Sequence, residues 1–342
     1  MIVIAGTLIA AAPLRDSGLG IDDTAAPAAN TAAPTAPSTV VAGATAEPVA
    51  PSEAIGSGVA FGVFSHPARF DETFPQFSAL RFLLADTDDA FDYLERARAS
   101  GTSVVISMTG NAASRNPDNT LNAAGWRAEV DQFADFDFDS YVADGTLIGH
   151  YILDEPKCRN CWGGEVLTNA QIDELAAYSK ELFPSLPVIV RQGPERLARH
   201  AGGLDVAIPG FEWSYVDIAW AQYTESKGPI QAYVEGEIAG AVEQDLGLIW
   251  GLNVLAGGDG SSGLHPNAPL DPADWLMSEA EIVRYGTEML DAGFGCAFIN
   301  FRYERFEETY FDSDGPLWNG LDSLSEVAAD AQAGSCGLRR NG

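Results

Sequence analysis

Short apolar segments alternate with amphipathic segments along the chain from residue 58 onward. Eight of the apolar segments predict β-strands, because strands that are buried on both faces of a parallel sheet read as unbroken apolar runs. The predicted strands cover residues 59–64, 80–84, 103–108, 147–153, 187–191, 216–221, 248–252 and 296–300.

Between these strands, apolar residues at helical spacing follow recognisable start signals. Thr168 with Gln171, and Ser278 with Glu281, are capping-box pairs that predict the first turns of two helices. Further apolar stripes predict helices through Phe91, Leu94 and Ala97 and through Leu321, Leu324, Val327 and Ala328.

Eight strand–helix units predict a (β/α)8 barrel, an α/β fold that uses a chain of this length as one domain. The first helix is the weak unit, because Pro75 interrupts the segment between the first two strands. The alternative is an open, doubly wound sheet. It is disfavoured because no glycine-rich phosphate loop follows the first strand.

The N-terminal part of the chain differs in composition from the rest. Residues 1–22 form a signal-like segment, in which the apolar run 2–12 is too short to span a bilayer and no Lys or Arg precedes Arg15. Residues 23–57 are rich in Ala, Pro and Thr and predict a disordered linker. We therefore expect an exported protein, secreted or tethered at a cell surface, whose barrel covers residues 58–342.

The chain carries 19 Lys and Arg against 49 Asp and Glu, a formal net charge of -30. Such a balance excludes nucleic acid and anionic membranes as partners, since both need clustered cations, and we expect no membrane insertion. Only Lys157, Lys180 and Lys227 are lysines. An acidic surface of this kind is well hydrated and self-repelling, so we expect a monomer.

The four cysteines predict two disulfides in an exported chain. Cys296 begins the eighth strand and Cys336 follows the last helix, so both fall at the same end of a barrel. Cys158 and Cys161 form a Cys-x-x-Cys pair after the fourth strand, which can also bind metal or take part in redox exchange. A local disulfide is favoured because no second pair of this kind accompanies it, and we expect no metal.

In a (β/α)8 barrel the active site is built at the C-terminal ends of the strands. The carboxylates, amides, Arg and Tyr found there suit a polyhydroxylated ligand, and we expect no cofactor. In strand order the candidates are His66, Asp86, Asn111, Asp154, Glu155, Arg191, Gln192, Gln222, Tyr223, Glu225, Asn253, Asn300, Arg302 and Glu304.

The sharpest of these signals is the end of the fourth strand, where Asp154, Glu155 and Pro156 follow a buried apolar run. Acids in such a place are costly to bury unless they are paired or take part in chemistry. Either at least one of them is catalytic, or one caps the following loop or pairs with Arg191 on the neighbouring strand.

A barrel whose fourth strand ends in Tyr151-Ile152-Leu153-Asp154-Glu155-Pro156 resembles the (β/α)8 glycoside hydrolases. Among these it is most similar to the substrate-assisted β-N-acetylhexosaminidases, which place an adjacent Asp-Glu pair at that strand end. The resemblance implies that Glu155 is the general acid. It also implies that Asp154 orients the 2-acetamido group of the substrate, which attacks the anomeric carbon in place of a protein nucleophile.

Two alternatives remain open. A glycosidase with two separated carboxylates would pair Glu155 with Glu225, Glu304 or Asp86, although retaining barrel enzymes place their nucleophile at the seventh strand, where this chain has Asn253. A carbohydrate-binding or surface protein would keep the barrel without turnover.

The substrate is expected to be an oligo- or polysaccharide, and a neutral glycan fits best because the net charge repels polyanions. Trp162, after Cys161, is a candidate platform on which a sugar ring packs. The glycine-rich loop 255–274 follows the seventh strand and is expected to form a lid or wall over the site.

Overall fold

The computed structural model describes residues 58–64, 77–110, 112–198, 200–201, 204–205, 212–266, 272, 274–301, 315–337 and 339. Within these ranges, eight parallel strands follow one another in chain order and close into a barrel, with β1 paired to both β2 and β8. The strands are β1 Ala60–Phe64, β2 Ala79–Leu83, β3 Ser103–Ser107, β4 Leu147–Asp154, β5 Val188–Arg191, β6 Ile218–Tyr223, β7 Gly247–Leu252 and β8 Ala297–Asn300.

The predicted (β/α)8 barrel is therefore confirmed, and each predicted strand lies within about two residues of an observed one. The predicted signal-like segment 1–22 and the predicted linker 23–57 lie outside the described residues, as does most of the segment between β1 and β2, for which a weak first helix was predicted. A two-stranded hairpin of His200–Ala201 and Leu204–Asp205, which the sequence pattern did not predict, follows the fifth helix.

The helices lie between the strands and cover the outside of the barrel. They are α1 Thr87–Ser100, α2 Ala123–Val130, α3 Asp139–Ala143, α4 Asn169–Leu182, α5 Pro194–Ala198, α6 Ile230–Glu243, α7 Glu279–Asp291 and α8 Pro316–Asp330. Both predicted capping boxes are formed, at the starts of α4 and α7. The predicted face of α1 is wrong at Phe91, which is 59% exposed, because only Leu94 and Ala97 of that stripe point at the barrel. None of the described helices is long and apolar enough to cross a membrane.

The barrel interior is a separate apolar cluster of alternate strand residues, distinct from the layer between strands and helices. Near its upper end, the ring of Trp220 packs 5.2 Å from that of Phe64 and 5.8 Å from that of Tyr151. Since side chains of a strand alternate between the two faces, the interior position of Trp220 fixes which later residues of β6 face the mouth of the barrel.

The lower end of the barrel is closed by the C-terminal segment. The predicted disulfide between Cys296 and Cys336 is present, with the two Cα atoms 5.2 Å apart. Beyond it, the backbone N–H of Arg339 donates to Asp217 Oδ1 at 2.9 Å. The other oxygen of Asp217 forms a fully buried ion pair with Lys180 at 2.6 Å. The segment is therefore anchored by a disulfide and by a hydrogen bond to a carboxylate that Lys180 holds in place.

The other two lysines are also held by specific acceptors. The buried ammonium of Lys157 donates to the carbonyl of Leu167 at 2.8 Å and to Asn169 Oδ1 at 2.5 Å, and burial lowers the pKa of Lys157 to about 7. Lys227 follows β6 on an exposed turn, and its Nζ donates to the carbonyl of Gln222. All three lysines thus connect one loop or helix to another part of the barrel.

Candidate active site

The mouth of the barrel contains a charged group shared by three strands. Asp154 ends β4 and Arg191 ends β5, and the two residues are register partners. Arg191 Nε lies 2.5 Å from Asp154 Oδ1, Nη2 lies 3.4 Å from Glu155 Oε1, and Nη1 donates to Gln222 Oε1 at 2.5 Å. The ion pair between Asp154 and Arg191, which was one of the alternatives predicted for the acids at the end of the fourth strand, is therefore present in the structure.

Burial and charge divide this group into an inner cation and two outer acids. The Arg191 side chain is 6% exposed, whereas those of Asp154 and Glu155 are 24% and 28% exposed. Burial alone would lower the pKa of Arg191, but the carboxylates of Asp154 and then Glu155 outweigh it and raise that pKa. The phenol of Tyr151 lies beside Asp154, and its pKa is raised by burial first and by this carboxylate second, so it stays protonated.

Glu155 has an unusual backbone. Its φ angle is 43°, in the left-handed region that non-glycine residues rarely adopt. Its N–H donates to the carbonyl of Arg191 at 2.9 Å, and its own carbonyl accepts from the N–H of Cys158 at 2.8 Å and from Trp162 Nε1 at 3.0 Å. Conformations of this kind persist where surrounding bonds enforce them, and they concentrate at functional sites.

The loop after β4 contacts the side chain of Glu155. The predicted disulfide between Cys158 and Cys161 is present, with a Cα–Cα distance of 5.2 Å. Cys161 Sγ lies 3.8 Å from Glu155 Oε2. This is a contact and not a hydrogen bond, because a disulfide sulfur carries no proton.

Trp162 does not offer the open platform that its sequence position predicted. The side chain is 2% exposed, and the guanidinium of Arg115 lies over its ring at 4.7 Å. Its bond to the Glu155 carbonyl gives it a different role, which is to hold the backbone of the acid in place.

A narrow recess opens beside Asp154 between β2, β3 and β4. Arg81 is placed there with its guanidinium 4.5 Å from the ring of Phe64 and 5.3 Å from that of Tyr151. Sequence reasoning did not select Arg81 or Tyr151. A charged residue in the middle of the apolar run of β2 was the available signal for Arg81. The other polar residues of the recess are Ser107, Thr109 and Ser114.

Two predicted site residues act as caps of local structure. Asp86 Oδ1 accepts from the N–H groups of Asp88 and Asp89 at 3.0 and 2.9 Å, which makes it the N-cap of α1. Asn253 Oδ1 accepts from the N–H of Ala256 at 3.1 Å in the turn after β7. Both side chains are thus hydrogen-bonded to nearby backbone, Asp86 instead of serving as the second carboxylate and Asn253 instead of facing a substrate freely.

Two others face away from the interior. Tyr223 is one residue beyond the inward-facing Gln222, so it points at the helices, where its hydroxyl donates to the carbonyl of Gly228 at 2.6 Å. Asn300 is fully buried between strands: its Nδ2 donates to the carbonyl of Gly62 at 3.0 Å, and its Oδ1 accepts from the N–H of Leu252 at 3.1 Å. These two predictions are wrong because a strand end supplies a ligand-facing side chain only at every second position.

The remaining predicted residues are placed only in part. Glu225 is exposed on the short 3-10 turn after β6, and its N–H donates to the carbonyl of Gly257 at 2.9 Å. Gln192 is buried after β5, and its Oε1 has no hydrogen-bond partner among the described residues. The positions outside the described residues are His66, Asn111, Arg302 and Glu304, so these four stay predictions.

The loop after β7 is tied to the start of α7. The buried carboxylate of Glu281 accepts from the N–H of Asp259 at 2.7 Å, from Ser261 Oγ at 3.0 Å and from the N–H of Ser278 at 2.7 Å. Residues 267–271 and 273 of the predicted lid lie outside the described residues. The described part of the loop is fixed by Glu281, which the sequence signalled only as a capping residue. A lid or wall over the site stays a prediction.

These features define a closed (β/α)8 barrel whose charged centre lies at the ends of β4 and β5. The fold is shared with glycoside hydrolases, which confirms the resemblance at the level of architecture. A proposed glycoside hydrolase from Parabacteroides distasonis superposes with a TM-score of 0.50 at 10% identity, covering 82% of this chain and 96% of the other. The glycoside hydrolase GH5_18 from Streptomyces cattleya, solved in complex with GlcNAc, gives a TM-score of 0.50 at 10% identity over 82% and 83% of the two chains. No protein-family model and no curated protein sequence matches the chain.

Proposed function

We propose that the protein is a glycoside hydrolase in which Glu155 is the proton donor and Asp154 assists. The observation that carries the proposal is the unequal pairing of these adjacent acids with one guanidinium. Arg191 holds Asp154 at 2.5 Å but Glu155 only at 3.4 Å. One acid is thus fixed as the partner of a permanent cation, and its neighbour, at similar exposure, is held less closely by that cation, which favours Glu155 as the group that gives up a proton.

In this mechanism the Glu155 carboxyl gives its proton to the leaving-group oxygen as the glycosidic bond breaks. The substrate's acetamido oxygen attacks the anomeric carbon, and Asp154, oriented by Arg191, accepts a hydrogen bond from the acetamido N–H. Water then opens the cyclic intermediate, and Glu155, now a carboxylate, takes the proton from that water. The enforced backbone of Glu155 supports this role because it fixes the direction of the donor.

The placement of the other acids supports the substrate-assisted scheme over a pair of separated carboxylates. Asp86 is used as a helix cap, and Glu225 lies on an exposed turn. Glu304 is outside the described residues, so a scheme that pairs it with Glu155 stays the alternative. A two-carboxylate mechanism needs a second group roughly 5 to 10 Å from the acid, on the opposite side of the sugar.

A neutral oligo- or polysaccharide is the proposed substrate. The charge of Arg191 is matched by Asp154 and Glu155, so this guanidinium does not make the mouth attractive to a polyanion. The chain as a whole carries a formal charge of -30. Two disulfides favour an oxidising compartment, which supports action outside the cell.

The test is hydrolysis of chromogenic glycosides with and without a 2-acetamido group. Glu155→Gln is expected to lower kcat/KM by about 10²- to 10⁴-fold on the substrate that the wild type cleaves best. A leaving group that needs no protonation should recover most of this loss. Asp154→Asn should reduce cleavage of 2-acetamido substrates only. The proposal is wrong if Glu155→Gln stays within about tenfold of the wild type.

A carbohydrate-binding protein without turnover is the second candidate. It is favoured by Asn253, which occupies the strand end where retaining barrel enzymes carry their nucleophile and which instead closes a turn. Calorimetry with the same oligosaccharides separates the two candidates. Binding without any product after prolonged incubation would support the second.

A further inference from the structure

The disulfide beside Glu155 brings together a set of potential metal ligands. A carboxylate oxygen of Glu155 and the sulfurs of Cys158 and Cys161 all lie within 4.8 Å of one another. Of this set, the proposed hydrolysis uses Glu155 and neither cysteine; both sulfurs are in the disulfide, so neither is a thiolate ligand in this state. We propose that reduction of this disulfide creates a Zn²⁺ site whose ligands are Cys158, Cys161 and Glu155.

The distances fit tetrahedral zinc closely. Zn–S bonds of about 2.3 Å and Zn–O bonds of about 2.1 Å place a sulfur and an oxygen roughly 3.6 Å apart, and two sulfurs roughly 3.8 Å apart. Cys161 Sγ already lies 3.8 Å from Glu155 Oε2. The two sulfurs only need to separate once their bond is broken, and a Cys-x-x-Cys turn is the common spacing for such a pair of zinc ligands.

The backbone holds the three ligands in consecutive turns. The N–H of Cys158 donates to the carbonyl of Glu155 at 2.8 Å, and the N–H of Cys161 donates to the carbonyl of Cys158 at 3.0 Å. The two oxygens of Glu155 also face different partners: Oε1 faces Arg191, whereas Oε2 faces the sulfurs. A metal can therefore take Oε2 without displacing the guanidinium.

The redox step needs a dithiol reductant. Its thiolate attacks the less buried sulfur, that of Cys161, and the bond to Cys158 breaks with Cys158 leaving as a thiolate. The second thiol of the reductant then displaces Cys161 and closes the reductant's own disulfide. Two electrons pass to the protein, and the two cysteines end as thiols or, with Zn²⁺ present, as metal-bound thiolates whose protons go to solvent. Because the metal occupies the Glu155 carboxylate, it also withdraws the proposed proton donor.

The experiment measures metal binding directly, so its outcome does not depend on catalysis. The full chain is reduced with an excess of a dithiol, freed of reductant without oxygen, and titrated with Zn²⁺ against a competing chromophoric chelator. We expect one tight Zn²⁺ per reduced chain and none per oxidised chain. Alkylation in the presence of the metal should protect Cys158 and Cys161 but leave Cys296 and Cys336 reactive, which identifies the site in the unmodified sequence.

Glu155→Gln tests the oxygen ligand, since loss of a ligand should weaken Zn²⁺ binding at least about tenfold, by comparison with the loss of outer-shell partners. The matched control is Cys296→Ala with Cys336→Ala, which removes the other disulfide and should leave the stoichiometry unchanged. The proposal is overturned if the reduced chain binds no Zn²⁺, or if Glu155→Gln binds it as tightly as the wild type. Failure of hydrolysis in the assays above would not affect either result.

Discussion

Arg191 and Asp154 are register partners on the neighbouring strands β5 and β4, and their side chains form an ion pair at 2.5 Å. Arg191→Met should lower the free energy of unfolding by about 3 to 5 kcal/mol, because it leaves Asp154 and Glu155 without their cation. Urea denaturation measures this change. In a double-mutant cycle with Asp154→Asn, the coupling energy should exceed about 1 kcal/mol.

The control for this pair is Arg96 with Asp92, which contact at 3.1 Å on the exposed face of α1. A cycle on these residues should give a coupling of about 0.3 to 0.5 kcal/mol, as usual for an i,i+4 pair in water. Equal coupling energies for the two pairs would contradict the structural role given to Arg191.

Glu237 gives a dependence of stability on pH. It is buried on α6, and its Oε2 accepts from the N–H of Glu195 at 2.9 Å. Burial raises the pKa of Glu237 from 4.5 to about 7. Between these values the folded state keeps a proton that the unfolded state has released, so this contribution to stability is complete below pH 4.5 and is lost as pH rises to 7.

The variant Glu237→Gln keeps the acceptor for Glu195 but cannot titrate. We expect the free energy of unfolding of the wild type to fall by up to about 3 kcal/mol relative to this variant between pH 4.5 and pH 7. Denaturation at several pH values measures the difference. A difference that is constant over this range would show that Glu237 is ionised throughout.

Lys157 should make the free energy of unfolding rise with pH, at higher pH values and in the opposite direction to Glu237. Burial lowers its pKa from 10.5 to about 7, so the unfolded state binds the proton more tightly than the folded state. The cost of burying the charge is present below pH 7 and disappears as pH rises toward 10.5. Relative to Lys157→Met, the free energy of unfolding of the wild type should rise by up to about 5 kcal/mol over this range, measured by urea denaturation. No gain would mean that the ammonium keeps its charge in the folded state.

The two disulfides should stabilise the fold unequally. Cys296 and Cys336 are 40 residues apart, whereas Cys158 and Cys161 are separated by 3. Loop-closure entropy then gives about 4 kcal/mol for the first and less than about 2 kcal/mol for the second. Paired replacements by Ala, compared in urea under non-reducing conditions, measure both values. A larger loss at the loop pair would show that this disulfide stabilises the native loop directly.

The barrel could be predicted because each strand is a continuous apolar run bounded by polar segments. The same property prevented the sequence from showing which residues face the site. A strand that is apolar on both faces does not reveal which residues point inward, and for this reason Tyr223 was selected together with Gln222. Only the packing of Trp220 inside the barrel separates them.

The charged centre was predicted in part. Asp154 and Glu155 stood out as acids after a buried strand, and pairing with Arg191 was one expected outcome. The left-handed backbone of Glu155 was not foreseeable, because it depends on bonds to Arg191 and Trp162 that form only in the folded chain. Asp86 was misplaced for a local reason: an acid directly before a helix usually caps it.

Because the chain has only three lysines, a chemical label can be attached near the mouth of the barrel. The side chains of Lys157 and Lys180 are buried, so amine-reactive reagents do not reach them. Lys227 is exposed and is the accessible lysine side chain. Its nitrogen donates to the backbone of Gln222, whose side chain contacts Arg191. A fluorophore coupled to this side chain, and distinguished from label on the α-amino group by peptide mapping, would report the arrival of a ligand in the unmodified sequence.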